Sequence, residues 1–379
     1  MECLVATLTG LPAGIPVSIA AIDRELWRRQ QGYGRGGRMK IETDKAHIVS
    51  GVRHSMTIGS PIAVLLENKD WKNWTEALPV EDIDGGEEKK KPVTRPRPGH
   101  ADLAGCIKYD FHDARYILER ASARETTARV AVGALAKAYL AEFGIQVLSH
   151  VIAVGEARLE RQASWEELVE LSKRDEVLLN CVDRDAEQRM KAVVDQVYKT
   201  GDTVGGVFEV VARGVPAGLG SHIAWDTRLD GKLAQAIVSM QAVKGVEVGF
   251  AAEGAAAFGS KVQDTIHYDR EHRAFTRGAN RAGGLEGGIT NGQDILVRGM
   301  LKPISTLRRP LESVDLLTRE AVQAAYERSD VAVVPAAGVI GEAMVALVLG
   351  AAMMEKFGGD SLREAKRNYE GYLDQVRNF

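Results

Sequence analysis

Residues 97–102 read RPGHAD and set a titratable ring, His100, directly after Pro98 and Gly99. Proline fixes φ and glycine reaches backbone angles that other residues avoid, so the ring sits on a stiff turn. Arg95 and Arg97 lie just upstream. Guanidiniums disfavour a protonated imidazole and a bound anion favours it, so a ring held between the two is suited to donating a proton. A structural hydrogen bond is the commoner role of a single histidine, and the stretch alone leaves both open. None of the other histidines completes an H-E-x-x-H pair, so the sequence predicts no metal centre.

Four further stretches carry chemistry. Residues 28–40, RRQQGYGRGGRMK, hold Arg28, Arg29, Arg35, Arg38 and Lys40 with four glycines and no acid. Planar guanidiniums match phosphate and carboxylate, and glycines let a ligand approach the backbone. The stretch reads as an anion clamp, or as a solvated basic loop of RNA-binding type. At 120–125, RASARE, Ser122 and Glu125 have capping-box spacing. A helix N-terminus flanked by Arg120 and Arg124 is a phosphate site; the plainer reading is an ordinary capped helix. Residues 277–292 contain six glycines, and LKPIST at 301–306 follows, without the spacing of a nucleotide P-loop. Arg328 and Asp330 stand immediately before an apolar run.

The elements that must position these residues are partly legible. The 379 residues, 45% hydrophobic and 27% charged, suffice for one large core. A net charge of -3 argues against a dedicated nucleic-acid binder. Three cysteines without CxxC spacing indicate neither a disulfide framework nor a zinc ribbon, which fits a reducing cytoplasm. The run Val331–Met354 carries one charge, Glu342, and is expected to be a turn followed by a buried helix from about Ile340 to Phe357, because Pro335, Gly338 and Gly341 break its first half. A helix is expected from about Glu119 to Gly144, and another over Asp185–Tyr198 with Asp185 and Gln188 as its capping box. GGVFEVVARG at 205–214 reads as a strand. Residues 80–94, acidic, then lysine-rich, read as a solvated insertion in an otherwise single domain spanning 1–379. GLPAGI at 10–15 recurs as GVPAGL at 214–219, each ahead of a helix-like stretch, which suggests two similar halves of sheet and helix.

Taken together, GLPAG at 10–14, RRQQGYGRGGRM at 28–39, SGVRHSMTIGSPI at 50–62, RPGHADL at 97–103, ERASARET at 119–126, QAVKGVEVG at 241–249, AGGLEGGITNG at 282–292, KPIST at 302–306 and RSD at 328–330 resemble the chorismate synthase family over nearly the whole length. The resemblance implies an α+β sandwich in which helices are enclosed between antiparallel sheets, with an internal pseudo-duplication, assembled as a cytoplasmic homotetramer. It implies a carbon–oxygen lyase of the shikimate pathway that converts 5-enolpyruvylshikimate 3-phosphate to chorismate by 1,4-anti elimination of phosphate. Reduced FMN is the implied cofactor and NADPH a candidate reductant; neither nucleic acid nor membrane is an expected partner.

By the same resemblance, His100 and Asp330 are the expected catalytic residues. Arg120, Ala121, Ser122, Gln241, Ala242, Gly287, Lys302, Pro303, Ile304, Ser305, Thr306 and Arg328 are expected to hold FMN. Arg29, Arg35, Arg38, Arg97 and Arg124 are expected to face substrate or NADP. Two departures stand out. The family usually has serine at Ala121, which leaves main-chain donation intact. The family pattern also begins with a strand ending in Gly-Glu-Ser-His-Gly, whose histidine is a second acid at the leaving phosphate, and the sequence opens just past it. The expectation is that the sequence starts late and the motif precedes Met1; the alternative is a chain lacking an edge strand and one of two catalytic histidines, with impaired chemistry, since loss of a general acid costs ~10²–10⁴ in rate. The rival expectation from another class is a catalytically silent anion- or RNA-binding protein on the same scaffold.

Overall fold

The computed structural model describes residues 1–36, 43–81, 91–327 and 330–379. The N-terminal half runs β1 (Cys3–Leu8), α1 (Ile19–Gln30), β2 (His47–Ser50), a hairpin of β3 (Val52–Arg53) and β4 (Met56–Thr57), and β5 (Ile62–Glu67). The later half repeats the series as β8 (Gly206–Arg213), α7 (Leu229–Val238), β9 (Val243–Val248), a hairpin of β12 (Leu285–Glu286) and β13 (Ile289–Thr290), and β14 (Ile295–Leu301). Strand order is β1-β5-β2 in one sheet and β8-β14-β9 in the other, antiparallel in both.

The duplication reaches individual hydrogen bonds. Thr57 Oγ1 donates to the Pro12 carbonyl at 2.6 Å and accepts from the Ile15 amide at 2.9 Å. Thr290 Oγ1 does the same with the Pro216 carbonyl at 2.6 Å and the Leu219 amide at 2.8 Å. The two Pro-Ala-Gly turns are thus pinned by equivalent threonines, so the short echo in the sequence marks a real structural repeat. Both hairpins turn through positive φ at two successive residues, His54 and Ser55 in one, Gly287 and Gly288 in the other, as a two-residue turn of this hand requires.

Each repeat is followed by a long helix, α4 (Thr126–Ala141) and α10 (Val334–Phe357). The two pack against each other between the sheets: α4 lies on β1 and β5, and α10 lies on β8 and on β6 (Gln146–Val154). β6 and β7 (Ala157–Arg158) widen the second sheet to the order β7-β6-β8-β14-β9. Helices therefore sit inside and antiparallel sheets outside, the expected α+β sandwich.

α10 begins at Val334, earlier than the Ile340 start that the sequence suggests. Pro335 does not break it, because this proline falls in the first turn, where its missing N–H has no helical partner to lose. Gly338 and Gly341 are close-packing positions instead of breaks. A Cβ on Gly338 would lie 2.8 Å from Ser149 Oγ, and one on Gly341 would lie 2.6 Å from the Phe208 ring. The helix is apolar on nearly every side and enclosed by protein, which accounts for a span of 24 residues long and apolar enough to cross a bilayer.

Its one buried acid anchors the interior. Glu342 is fully buried and takes two bonds from Arg28, both at 2.7 Å, one from Ser149 Oγ at 2.6 Å and one from Lys137. Glu25 closes the group, 3.0 Å from Arg28 and 2.7 Å from Lys137. One ionic knot thus ties α1, α4, α10 and β6. Burial raises the Glu25 carboxyl, but Lys137 and Arg28 outweigh it and hold the group at about 2, against an ordinary 4.5.

The remaining elements sit at the periphery. They are α2 (Asp102–Tyr109), α3 (Arg115–Ala121), α5 (Trp165–Ser172), α6 (Arg184–Thr200), α8 (Ala251–Ala255), α9 (Gly259–Val262) and α11 (Leu362–Arg377), with hairpins β10 (Ile266–Asp269)/β11 (Ala274–Arg277) and β15 (Glu312–Val314)/β16 (Ala321–Gln323). Three expectations change. The cap of α6 is Asp183, whose carboxylate accepts from the Ala186 amide at 2.8 Å; the capping box at Asp185 and Gln188 is not formed. The helix expected from Glu119 is broken at Ser122, which is extended at ψ 136 between α3 and a 3₁₀ turn at Ala123–Glu125. The insertion at 80–94 is narrower than its composition implies, because Val93 is buried with Cys106, Ala114 and Ile117, and its amide donates to Asp113 at 2.7 Å. Residues 82–90 of that stretch lie outside the described residues.

Both the helix contact and the ionic knot can be tested by substitution. A Cβ on Gly133 would lie 2.3 Å from the Ala343 Cβ where α4 meets α10, whereas one on Gly371 meets nothing within 4 Å. Gly133→Ala is expected to cost ~1–3 kcal/mol in denaturant unfolding, and Gly371→Ala to stabilise by ~0.5–1 kcal/mol. Because the folded Glu25 carboxyl is depressed, its contribution is complete above pH 4.5 and is lost as pH falls toward 2. Glu25→Gln should therefore flatten the loss of stability across that window in a pH series of unfolding midpoints.

Candidate functional site

The His100 loop is built around a carboxylate that sequence reasoning passed over. Asp102, at the start of α2, is fully buried. One oxygen accepts from the Arg97 amide at 3.0 Å and from Arg97 Nε at 2.8 Å. The other accepts from Arg97 Nη2 at 3.1 Å and lies 2.5 Å from His100 Nδ1. Burial pushes the Asp102 carboxyl up, yet bonds from His100 and Arg97 and the charge of Arg97 more than offset this and hold it well below the usual carboxylate range. Arg97 is itself buried, and its Nη1 donates to Thr306 Oγ1 at 2.9 Å. Its donors are thus engaged within the loop and by Thr306. The His100 side chain stays 21% exposed, which leaves part of the ring open to a ligand.

Lys302 and Ser305 close the same loop from the other side. Lys302 Nζ donates to the Gly99 carbonyl and to Ser305 Oγ, and Ser305 Oγ donates to the Gly99 carbonyl at 3.0 Å. The Lys302 amide donates to the carbonyl of Ala242 at 3.0 Å; Ala242 stands at φ 68, a conformation that turns the chain sharply after α7. Ile304 is fastened through its carbonyl to Thr203 Oγ1 at 2.7 Å, and Pro303 is exposed beside it. The neighbouring Gln241 donates from Nε2 to Glu125 at 3.0 Å, so the turn carrying Arg120, Ala121 and Ser122 joins the group. Ser122 Oγ accepts from the Arg124 amide at 3.2 Å. Glu125 pairs with Arg129 at 2.9 Å instead of reaching back to Ser122, so the reciprocal box predicted there is absent.

The arginine stretch approaches from α1. Arg29 is buried, donating to Thr126 Oγ1 at 3.0 Å and to the Ala123 carbonyl at 2.9 Å. Asp44, also buried and not anticipated from the sequence, stands between Arg29, at 3.6 Å, and Arg124. Arg124 also donates to the Glu67 carbonyl at 2.9 Å. Asp330 accepts from the Gly36 amide at 2.5 Å and pairs with Arg35 Nε at 3.0 Å, and Arg35 reaches the Arg29 carbonyl at 3.4 Å. Arg38 and Arg328 lie outside the described residues.

One expected member is set apart. Gly287 is exposed at the tip of its hairpin, which meets the N-terminal end of α7 where Leu229 donates to the Gly288 carbonyl. Gln241 follows the other end of that helix, whose ten residues span ~15 Å. Gly287 therefore does not join the cluster within one chain, because a straight helix holds the two ends apart. The sequence carried a faint signal for Asp102, a carboxylate two residues beyond the histidine, but none for Asp44, whose partners come from two distant segments.

A scaffold that gathers guanidiniums, a lysine, hydroxyls and a histidine–carboxylate pair defines an α+β enzyme equipped to handle anions and move protons. A family profile described as chorismate synthase matches residues 1–354. The chorismate synthase of Solibacter usitatus (strain Ellin6076) is 80% identical over 378 residues, covering 100% of this chain and 97% of that relative. That of Aquifex aeolicus (strain VF5) is 50% identical, with 99% of this chain and 96% of the relative covered. A solved crystal structure of a chorismate synthase superposes with a TM-score of 0.78 at 40% identity, covering 100% of this chain and 96% of that one. The chain belongs to the chorismate synthase family, lyases of the shikimate pathway. The rival reading as a silent RNA-binding protein is not favoured: Arg28 and Arg29 are buried against carboxylates, and Arg35 is paired with Asp330, so the described part of this stretch, residues 28–36, is no solvated basic strip.

Asp44→Ala should leave Arg29 and Arg124 short of counter-charge, at a cost of ~3–5 kcal/mol. Inorganic phosphate is expected to restore the melting temperature of this variant more than it raises that of the unmodified protein, a difference that thermal melts across a phosphate series would register.

Proposed function

We propose that this protein converts 5-enolpyruvylshikimate 3-phosphate to chorismate and phosphate by 1,4-anti elimination, with reduced FMN as cofactor. The observation that supports the reading is the unbroken run of contacts from His100 through Gly99, Lys302, Ala242 and Gln241 to Glu125, and on to the Arg29, Asp44 and Arg124 group. Cation, hydroxyl and acid–base groups lie along one path there.

The residues suit a flavin mononucleotide. Such a group brings a phosphate dianion and a flat ring with a polar edge. Arg120 and Lys302 offer cations, and Ser122, Ser305 and Thr306 offer hydroxyls. Gln241 Oε1 is a buried acceptor that has no hydrogen-bond partner among the described residues, and a flavin edge carries an N–H. Arg120, Ala121, Ser122, Gln241, Ala242 and Lys302 to Thr306 would hold the cofactor, with Arg328 joining them if its segment follows the family pattern. When bound, reduced FMN lends electron density as the carbon–oxygen bond breaks.

The chain's own residues do the rest. Arg29, Arg35, Arg38 and Arg124 bind the phosphate and carboxylates and stabilise the charge that gathers on the leaving phosphate. Arg97, spent on Asp102 and Thr306, contributes its positive charge and the shape of the His100 loop. His100 donates a proton beside the cofactor. Asp330, oriented by Arg35 and the Gly36 amide, assists proton removal. NADPH is the proposed reductant, the cytoplasm the proposed location and a homotetramer the proposed assembly.

An anaerobic assay with reduced FMN and 5-enolpyruvylshikimate 3-phosphate tests the reading. Phosphate and chorismate are expected in equal amounts with reduced but not oxidised FMN, and His100→Ala is expected to lower kcat by ~10²–10⁴. Failure to bind FMN, together with retention on RNA, would overturn the proposal.

A further inference from the structure

We propose that Asp102 is the positioning residue for His100, fixing the ring and setting which ring nitrogen carries the transferable proton. The inference rests on the reading of His100 as the proton donor.

The geometry assigns the tautomer. Arg97 Nη2 lies 3.1 Å from His100 Nδ1 and 3.4 Å from Nε2, while the Asp102 carboxylate lies 2.5 Å from Nδ1. A guanidinium can only donate, and a carboxylate can only accept. The much shorter contact decides the matter: Nδ1 carries a hydrogen and donates it to Asp102, and Arg97 Nη2 spends its own donor on the same carboxylate at 3.1 Å. Nε2 is then the nitrogen whose proton can leave. When the Nε2–H bond breaks and the proton passes to its acceptor, the ring is left neutral with its remaining hydrogen still held by Asp102. No tautomer change is needed between turnovers.

The charges around the ring point the same way. Arg97 faces it from the loop, and Lys302 reaches the Gly99 carbonyl next to it from the segment after β14. Neither cation can accept the ring's hydrogen. Asp102 is the only carboxylate among the described residues within bonding distance of the ring, and it is fully buried, so water screens its charge little. Its rigidity adds to this, since the Arg97 amide and two guanidinium nitrogens hold the carboxylate in place. Replacing the carboxylate by an amide of the same shape should therefore leave the ring without its fixed acceptor, and its transferable proton misplaced, without emptying the binding site.

Asp102→Asn in the FMN-loaded enzyme is the test. At pH 7 kcat should fall by at least ~10-fold, within the range for losing a placed acid, with KM changed less than about threefold. In a His100→Ala background the same substitution should change kcat by less than ~2-fold, since the group it positions is gone. A further large loss in that background would mark Asp102 as merely structural and overturn the inference. If His100→Ala alone retains full activity, the reading of His100 has failed instead, a separable result. Nitrogen-15 spectra of the unsubstituted protein with labelled histidine give a check independent of any variant's folding: the neutral His100 ring should carry its hydrogen on Nδ1, and finding it on Nε2 would overturn the proposal.

Discussion

The buried carboxylate of Glu342 is the constraint on which the rest of the arrangement turns. An isolated charge inside a helix as apolar as α10 would be prohibitively costly, so it must be matched, and Arg28 and Lys137 match it from two other helices. Because the Arg28 fork is bidentate, it fixes the rotation of α1 as well as its position. The next residue, Arg29, is then carried ~100° around the helix to face Asp44, Ala123 and Thr126. One ionic contact in the core thus aims the first cation of the candidate site. Neighbouring arginines of the same stretch have different partners: Arg28 ties the core helices together, and Arg29 is turned toward the candidate site.

The repeat explains why the site lies where it does. α1 and α7 are equivalent, and each delivers site residues just at or past its C-terminal end, Arg29 from one and Gln241 and Ala242 from the other. α4 and α10 are equivalent too, and each is preceded by site residues, Ser122 to Glu125 before one and Asp330 before the other. The ends of β5 and β14 supply the Glu67 carbonyl and Lys302. All these contributions come from the same end of the layered stack, where the N-termini of α4 and α10 meet the C-termini of α1 and α7; the opposed helix dipoles offset one another, and the side-chain charges dominate. Gly287 and its counterpart His54 belong to the hairpins at the opposite ends of α7 and α1. Symmetry therefore accounts both for the clustering and for the one residue that falls outside it.

Carboxylates govern the cations throughout. Asp102 occupies Arg97, Asp44 stands between Arg29 and Arg124, and Asp330 holds Arg35. A cup of unopposed arginines would repel itself and destabilise the folded chain. Pairing each with a buried or half-buried acid keeps the guanidiniums in fixed directions while the fold assembles.

By itself the sequence determined the family, the strand of residues 205–214, the helices after each Pro-Ala-Gly turn, the internal repeat and the identity of the cationic segments. These features are local: they follow from glycine and proline geometry, apolar periodicity and runs of a few residues. Tertiary structure alone decided that Gly338 and Gly341 are contacts instead of helix breaks, that Glu342 is paired, that Ser122 ends one helix and caps the 3₁₀ turn leading into the next while Glu125 turns away to Arg129 and Gln241, and that Asp44 and Asp102 stand behind the arginines. For Gly338, Gly341, Glu342 and Asp44 the deciding partner is in another element, often far along the chain, as with Arg28 and Glu342, whereas Asp102 is decided by the way its own loop folds back on Arg97 and His100. A side chain's charge is written in the sequence, but which opposite charge it meets, and therefore what it is free to do, depends on how the layers close.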